Sequence, residues 1–183
     1  RRQRQMCIRD SYYSLVDGSV TVDRILSDGD LLCLEPGITI QVIGAPGHSS
    51  ESLCFYYREQ KILFTGDSIP EPSDALIYED SHASEETLKR LELLEEVDMY
   101  CPAWDKVYDR RTGIAMIHEG LSRISKIRRC TEEYRGRMGE ESTHRLFELI
   151  CEESNMAEYK KNPLFMRSVM SDLSRLSQGN HRD

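Results

Sequence analysis

Between Val20 and Phe64 the chain runs through five short apolar stretches, each closed within a few residues by a turn signal. That cadence reads as a succession of short strands. Val20, Val22 and Ile25-Leu26 suggest the first, ending at the turn Asp28-Gly29-Asp30. Leu31 to Leu34 is the second, closed by Glu35-Pro36-Gly37. Ile38 to Ile43, Leu53 to Tyr57 and Ile62 to Phe64 follow, with Glu59-Gln60-Lys61 as the hairpin loop between the last two. The 18 residues before Val20 have no clear place, although Tyr12, Tyr13 and Leu15 could pack on a core.

Beyond residue 83 the period changes. Ser84 reads as a helix N-cap with Glu85 and Glu86 in the first turn, and Leu88, Leu91 and Leu94 as its buried stripe. Val97 to Tyr100 suggests a last strand before Cys101-Pro102. Ile114, Ile117, Leu121 and Ile124 are spaced 3, 4, 3, as are Met166, Val169, Leu173 and Leu176 after the helix start Asn162-Pro163. Leu146, Phe147 and Ile150 mark another helix between them. The expected organisation is an unplaced segment 1–18, an α/β region 19–110 and a helical extension 111–183, with a boundary in the polar stretch 109–113.

Two loops hold the chemistry. Ala45-Pro46-Gly47-His48-Ser49-Ser50 follows one apolar run, and Thr65-Gly66-Asp67 follows another. Strands ending side by side would bring the His48 imidazole and the Asp67 carboxylate together at one edge of a sheet. Such a pair can bind a hard or borderline divalent metal. Gly47 would let the backbone pass close to the site. The plainer readings are a hydrogen-bonded loop histidine and an aspartate that caps the next segment. Ser49 and Ser50 either orient the imidazole or start a turn. In the loop after Asp67, Tyr78 and His82 are candidates to face a substrate, against the plainer reading of solvated loop residues. His118, His144 and His181 read as structural or surface residues.

Charge and cysteine content narrow the setting. Residues 1–117 carry 12 basic and 21 acidic residues, a net −9, whereas 118–183 carry 12 and 11, a net +1. The acidic part holds the candidate site, where bound divalent metal would offset it, and its sign argues against nonspecific nucleic-acid binding. No apolar run approaches the roughly 18 residues that span a bilayer, and no apolar stretch follows the basic start to make a signal peptide. Cysteines 7, 33, 54, 101, 130 and 151 show no C-x-x-C spacing, which favours reduced thiols and the cytoplasm. Cys33 and Cys54, inside apolar runs, are expected in the core.

Pro46-Gly47-His48-Ser49 and Thr65-Gly66-Asp67 resemble two consecutive motifs of the metallo-β-lactamase-fold hydrolases, and the turns at 28–30 and 35–37 suit that family. The resemblance covers residues 19 to 107. It implies an αββα sandwich, present here as its C-terminal half and followed by a helical tail. It also implies that His48 binds one metal ion, that Asp67 bridges two, and that metal-bound water hydrolyses an ester, thioester, lactone, amide or phosphodiester. The ions expected are zinc, with manganese or iron as alternatives; the partner is a small-molecule substrate, and the helical tail could join copies of the chain.

The sequence also departs from that pattern. The family's upstream His-x-His-x-Asp-His motif is missing, and His48 is the only histidine before residue 82. Trp104 stands where a further histidine is expected, leaving Asp105 or Cys101 as substitute ligands. A catalytic zinc needs about three protein ligands. The chain by itself is therefore expected to be inactive, either because ligands lie upstream of Arg1 or because it is a degenerate relative serving as a noncatalytic binding or assembly module.

Overall fold

A computed structural model of the chain describes residues 21–72, 74–103, 106–137 and 142–178. Among the described residues, six strands form one sheet in sequential order: β1 (Leu31–Glu35), β2 (Ile38–Gly44), β3 (Leu53–Tyr57), β4 (Ile62–Gly66), β5 (Met99–Pro102) and β6 (Tyr108–Asp109). The first four make an antiparallel meander, with Val42 opposite Phe55 and Phe55 opposite Phe64. Strand β5 then pairs parallel to β4 (Leu63 with Tyr100), and β6 returns antiparallel. A parallel neighbour needs a crossover. Helix α1 (Ser81–Glu92) supplies it.

Three more helices follow among the described residues: α2 (Arg110–Tyr134), α3 (Thr143–Glu153) and α4 (Pro163–Gln178). Each start has a chemical reason. Asp80 accepts from His82 N and Ala83 N, Asp109 from Thr112 N, Ser142 from Arg145 N, and Asn162 from Leu164 N and Phe165 N. Pro163 sits where its missing N–H costs nothing. The buried face of α2 runs Gly113, Met116, Ile117, Gly120, Ile124, Ile127, Cys130, a helical period laid on the sheet and on α1. Gly113 is needed there, because a Cβ would stand 2.3 Å from the Tyr100 ring. One continuous core runs from Ile43 and Leu63 on the sheet, through Leu88 and Ile117, to Phe147, Phe165 and Leu173 on the last two helices. Phe165 is gripped edge-on by Phe147 (5.7 Å) and Tyr159 (5.9 Å).

Several expectations shift. Residues 21–27 form no strand; Val22 and Ile25 are exposed, and the Ser27 amide is taken by the Asp30 carboxylate (3.0 Å), a local turn bond that competes with a ladder. The turn at 28–30 is present, with Gly29 N donating to Val42 O and Val42 N to Asp30 O. The cap of α1 is Asp80, a turn earlier than Ser84, which lies buried inside the helix. Val97 is a buried residue ahead of β5, and β6 follows it, so the 97–100 stretch is not the last strand. Cys54 is fully buried as expected, but Cys33 is exposed, because β1 is the sheet's edge among the described residues and buries little. Residues 1–18, with Tyr12, Tyr13, Leu15 and Cys7, lie outside the described residues, as do Val20, Trp104, Asp105 and His181.

Candidate active site

Strands β2 and β4 each run antiparallel to β3, so they point the same way and their C-terminal ends share one edge. Two strands apart, those ends are about 10 Å from each other, too far for side chains to meet unless the loops bend inward. The first loop does so by pressing on α1. Gly47 has φ +141°, and a Cβ there would lie 2.3 Å from Ser84 Oγ and 2.5 Å from Ser84 Cα. The second loop turns at Gly66, with φ +53°. The result brings His48 Nε2 to 3.8 Å from Asp67 Oδ2, with each side chain about one-third exposed.

Segment 77–80 clamps the His48 loop from above. The Ile77 carbonyl lies 3.1 Å from His48 Nδ1. A carbonyl only accepts, so Nδ1 carries a proton and Nε2 is the nitrogen that faces Asp67. Glu79 N and Asp80 N both donate to Gly47 O, at 2.8 and 3.1 Å. Thr87 Oγ1 donates to Pro46 O at 2.7 Å. Ser49 and Ser50 show the turn reading: Ser49 Oγ pairs with Ser52 Oγ (2.8 Å) and not with the imidazole.

The pair opens onto a cavity of about 490 Å³. Asp74, Ile77 and Glu79 line it from the loop, and Leu164, Arg167 and Ser168 from α4. The helical extension therefore builds one wall of the site. Arg167 meets Glu79 across the rim at 3.4 Å.

Of the other predicted residues, Tyr78 also lines this cavity. Tyr78 is buried, and its hydroxyl donates to Asp172 Oδ2 (2.8 Å) on α4. Burial, then the neighbouring Asp172 charge, holds its phenol well above the ordinary range. His82 is exposed in the first turn of α1, its amide capped by Asp80. Asp105 lies outside the described residues. Cys101 is on β5 beside Phe64, with its thiol held above its usual value by burial. Among the described residues no group of three or more His, Cys, Asp or Glu is placed to hold a metal ion. His48 and Asp67 nevertheless suit one. The nitrogen–oxygen gap of 3.8 Å is slightly wider than the roughly 3.3–3.6 Å between two donors on a tetrahedral zinc ion, and the Nδ1–H to carbonyl bond is the usual orienting contact of a ligating histidine. They remain one donor short of a catalytic set.

The sequence reading missed Asp172 and Ser168. Ser168 Oγ accepts from Tyr78 N (2.9 Å), and Asp172 Oδ1 accepts from Ser81 Oγ (2.6 Å). The signal was present: Asp172 stands three residues after Val169 and one before Leu173, inside an apolar stripe.

The sequence profile of the metallo-beta-lactamase superfamily matches residues 5–103. The chain belongs to that superfamily. It is similar to the acyl-coenzyme A thioesterase MBLAC2 of Gallus gallus, 38% identical over 81 residues, which cover 43% of this chain and 28% of that protein. It is also similar to the atrochrysone carboxyl ACP thioesterase dmxR1 of Cryptosporiopsis sp. (strain 8999), 38% identical over 48 residues, 26% of this chain and 15% of that one. A beta-lactamase domain protein from Burkholderia ambifaria superposes with TM-score 0.65 at 18% identity, over 92% of this chain and 51% of that chain. A metallo-beta-lactamase family protein from Thermus thermophilus gives 0.63 at 15%, over 87% and 50%. The chain thus spans about half of these solved structures, and its matches cover under a third of the two thioesterases. Both superpositions extend beyond the sheet, so the mixed α/β fold with its helical C-terminal part is the fold of that superfamily. Among the described residues, no helix is long and apolar enough to cross a membrane.

Proposed function

We propose that this chain contributes part of the divalent-metal centre of a hydrolase that cleaves acyl thioesters. The carrying observation is the convergence of His48 Nε2 and Asp67 Oδ2, 3.8 Å apart, on the mouth of a cavity of about 490 Å³. His48 would donate through Nε2, held by the Ile77 carbonyl, and Asp67 would donate a carboxylate oxygen. Further donors would come from outside the described residues, Asp105 among the candidates. A divalent ion held there supplies activated water at neutral pH. Ile77 and Leu164 give the cavity an apolar wall for an acyl chain. Zinc is the ion best matched to an imidazole–carboxylate set, with manganese and iron as alternatives. Thioesters are chosen over lactones and phosphodiesters because thioesterase names recur among the similar proteins.

The test uses the full-length protein. Metal analysis should find about one to two equivalents of divalent ion, with acyl-coenzyme A hydrolysis abolished by chelation. His48→Ala and Asp67→Asn should each lower metal content. Unchanged stoichiometry in both variants removes the site. A metal-free, stably folded protein would instead mark a binding or assembly module.

A further inference from the structure

We propose that Asp172, buried on α4, is a positioning residue for His48, acting through the segment that joins Ile77 to Ser81. It is 94 residues from Tyr78 in sequence, yet its carboxylate takes the Tyr78 hydroxyl on one oxygen (2.8 Å) and the Ser81 hydroxyl on the other (2.6 Å). Ser168, one turn earlier on the same helix, accepts the Tyr78 amide (2.9 Å). These three bonds, with the exposed Arg167–Glu79 pair at the rim, fasten the segment to α4. Three more run from the segment to the metal-site loop: His48 Nδ1 to Ile77 O, and Glu79 N and Asp80 N to Gly47 O. The residue that binds α4, Tyr78, is next to the residue whose carbonyl fixes the imidazole. Any slackening at Asp172 is passed directly to the Ile77 carbonyl, and with it to the direction in which Nε2 points.

A carboxylate is an expensive way to fasten a helix. Asp172 is 5% exposed and lies between Val169 and Leu173, themselves buried. Apolar residues of similar volume hold such contacts at least as well, and what a satisfied polar cluster adds is a unique geometry. Here that geometry concerns the segment behind His48. Both Asp172 oxygens are engaged by hydroxyls from this one segment, so the carboxylate fixes its distance and its rotation together.

The proposal rests on the reading of His48 as a metal donor only for its consequence, not for its geometry. The test separates the two. In metal-free, full-length protein labelled with 15N-histidine, the His48 ring signals are identified by their loss in His48→Ala. Wild-type protein should show the Nδ1–H tautomer. Asp172→Ala should shift His48 toward the Nε2–H form, and zinc affinity, read by chelator competition, should fall about 10–100-fold. Tyr78→Phe, which loses one hydroxyl and keeps the ring, should move both in the same direction by less, and decides the matter if Asp172→Ala does not fold. Asp172→Asn should retain the wild-type tautomer, since an amide can still serve both hydroxyls. Leu173→Ala, a neighbouring cavity variant outside the bonded chain, should leave the tautomer alone. Wild-type ring shifts in Asp172→Ala or in Tyr78→Phe, or an equal change in Leu173→Ala, overturn the proposal. A tautomer shift as expected, in a protein that takes up no metal, upholds it and removes the thioesterase reading instead.

Discussion

Replacing Gly47 by alanine tests whether the His48 loop must touch helix α1. Two costs add. At φ +141° an L-residue is strained by roughly 1–3 kcal/mol. The new Cβ would also lie 2.3, 2.5 and 2.6 Å from Ser84 Oγ, Cα and N, two of which are main-chain atoms that cannot swing aside. Overpacking of this kind costs about 1–3 kcal/mol. The expected total is about 2–6 kcal/mol, a fall in Tm of roughly 4–24 °C for a domain of this size. Gly37→Ala is the control. Gly37 has φ +84° with no atom within 4 Å of a built Cβ, so it bears the strain without the clash. Thermal melts by circular dichroism compare the two. If Gly47→Ala melts no lower than Gly37→Ala, close approach is not what selects glycine here, and the account of how the loop reaches Asp67 fails.

Leu173→Ala should cost roughly 2–5 kcal/mol in urea unfolding, because the side chain is 1% exposed, while Leu164→Ala on the cavity rim (52% exposed) should stay within about 0.5 kcal/mol. Iodoacetamide should alkylate exposed Cys33 in native protein and spare Cys54 and Cys151, whose thiols burial pushes up to about 11 and about 12; peptide mass mapping that finds Cys54 modified as fast as Cys33 refutes this. Asp172 has a carboxyl raised above its usual value, first by burial, against lowering by Ser81, Tyr78, Arg128 and His82. The folded state then holds its proton to higher pH than the unfolded state, so this group's contribution is full below about pH 3.8 and declines as pH rises through the folded value. Asp172→Asn should therefore gain stability relative to wild type as pH increases, and a difference that is flat or falls with pH refutes the sign.

The meander was legible because each run from Leu31 to Phe64 ended on a turn residue, and strands Leu53–Tyr57 and Ile62–Gly66 begin where the pattern placed them. His48 and Asp67 were legible because their loops follow strands that must run the same way. What escaped was set by nonlocal contacts. Val22 and Ile25 have strand composition, yet no ladder among the described residues takes them, and Asp30 captures the Ser27 amide. Ser84 and Asp80 are both good caps; Asp80 takes the role, while Ser84 lies one turn into the helix, packed against Gly47. Tyr78 looked like a loop hydroxyl facing a substrate because its partner, Asp172, is 94 residues away. A carboxylate on an apolar stripe is the pattern that would have exposed it.

On the proposed reading, the charges around the cavity tie metal and substrate together. Asp67, Asp74 and Glu79 face it against one guanidinium, Arg167, which Glu79 already holds. Apart from His48 the lining is formally −2 (three carboxylates against one guanidinium), so an acyl thioester bearing phosphates, as coenzyme A does, meets like charge at the entrance. One divalent ion brings the lining to neutrality and two make it positive. Because the cavity wall is partly apolar, those charges are screened less than they would be on an open surface. On the proposed reading, then, the ion does more than activate water: it makes the site acceptable to an anionic carrier, and the acidic lining that repels such a carrier from the empty site is what draws the ion in.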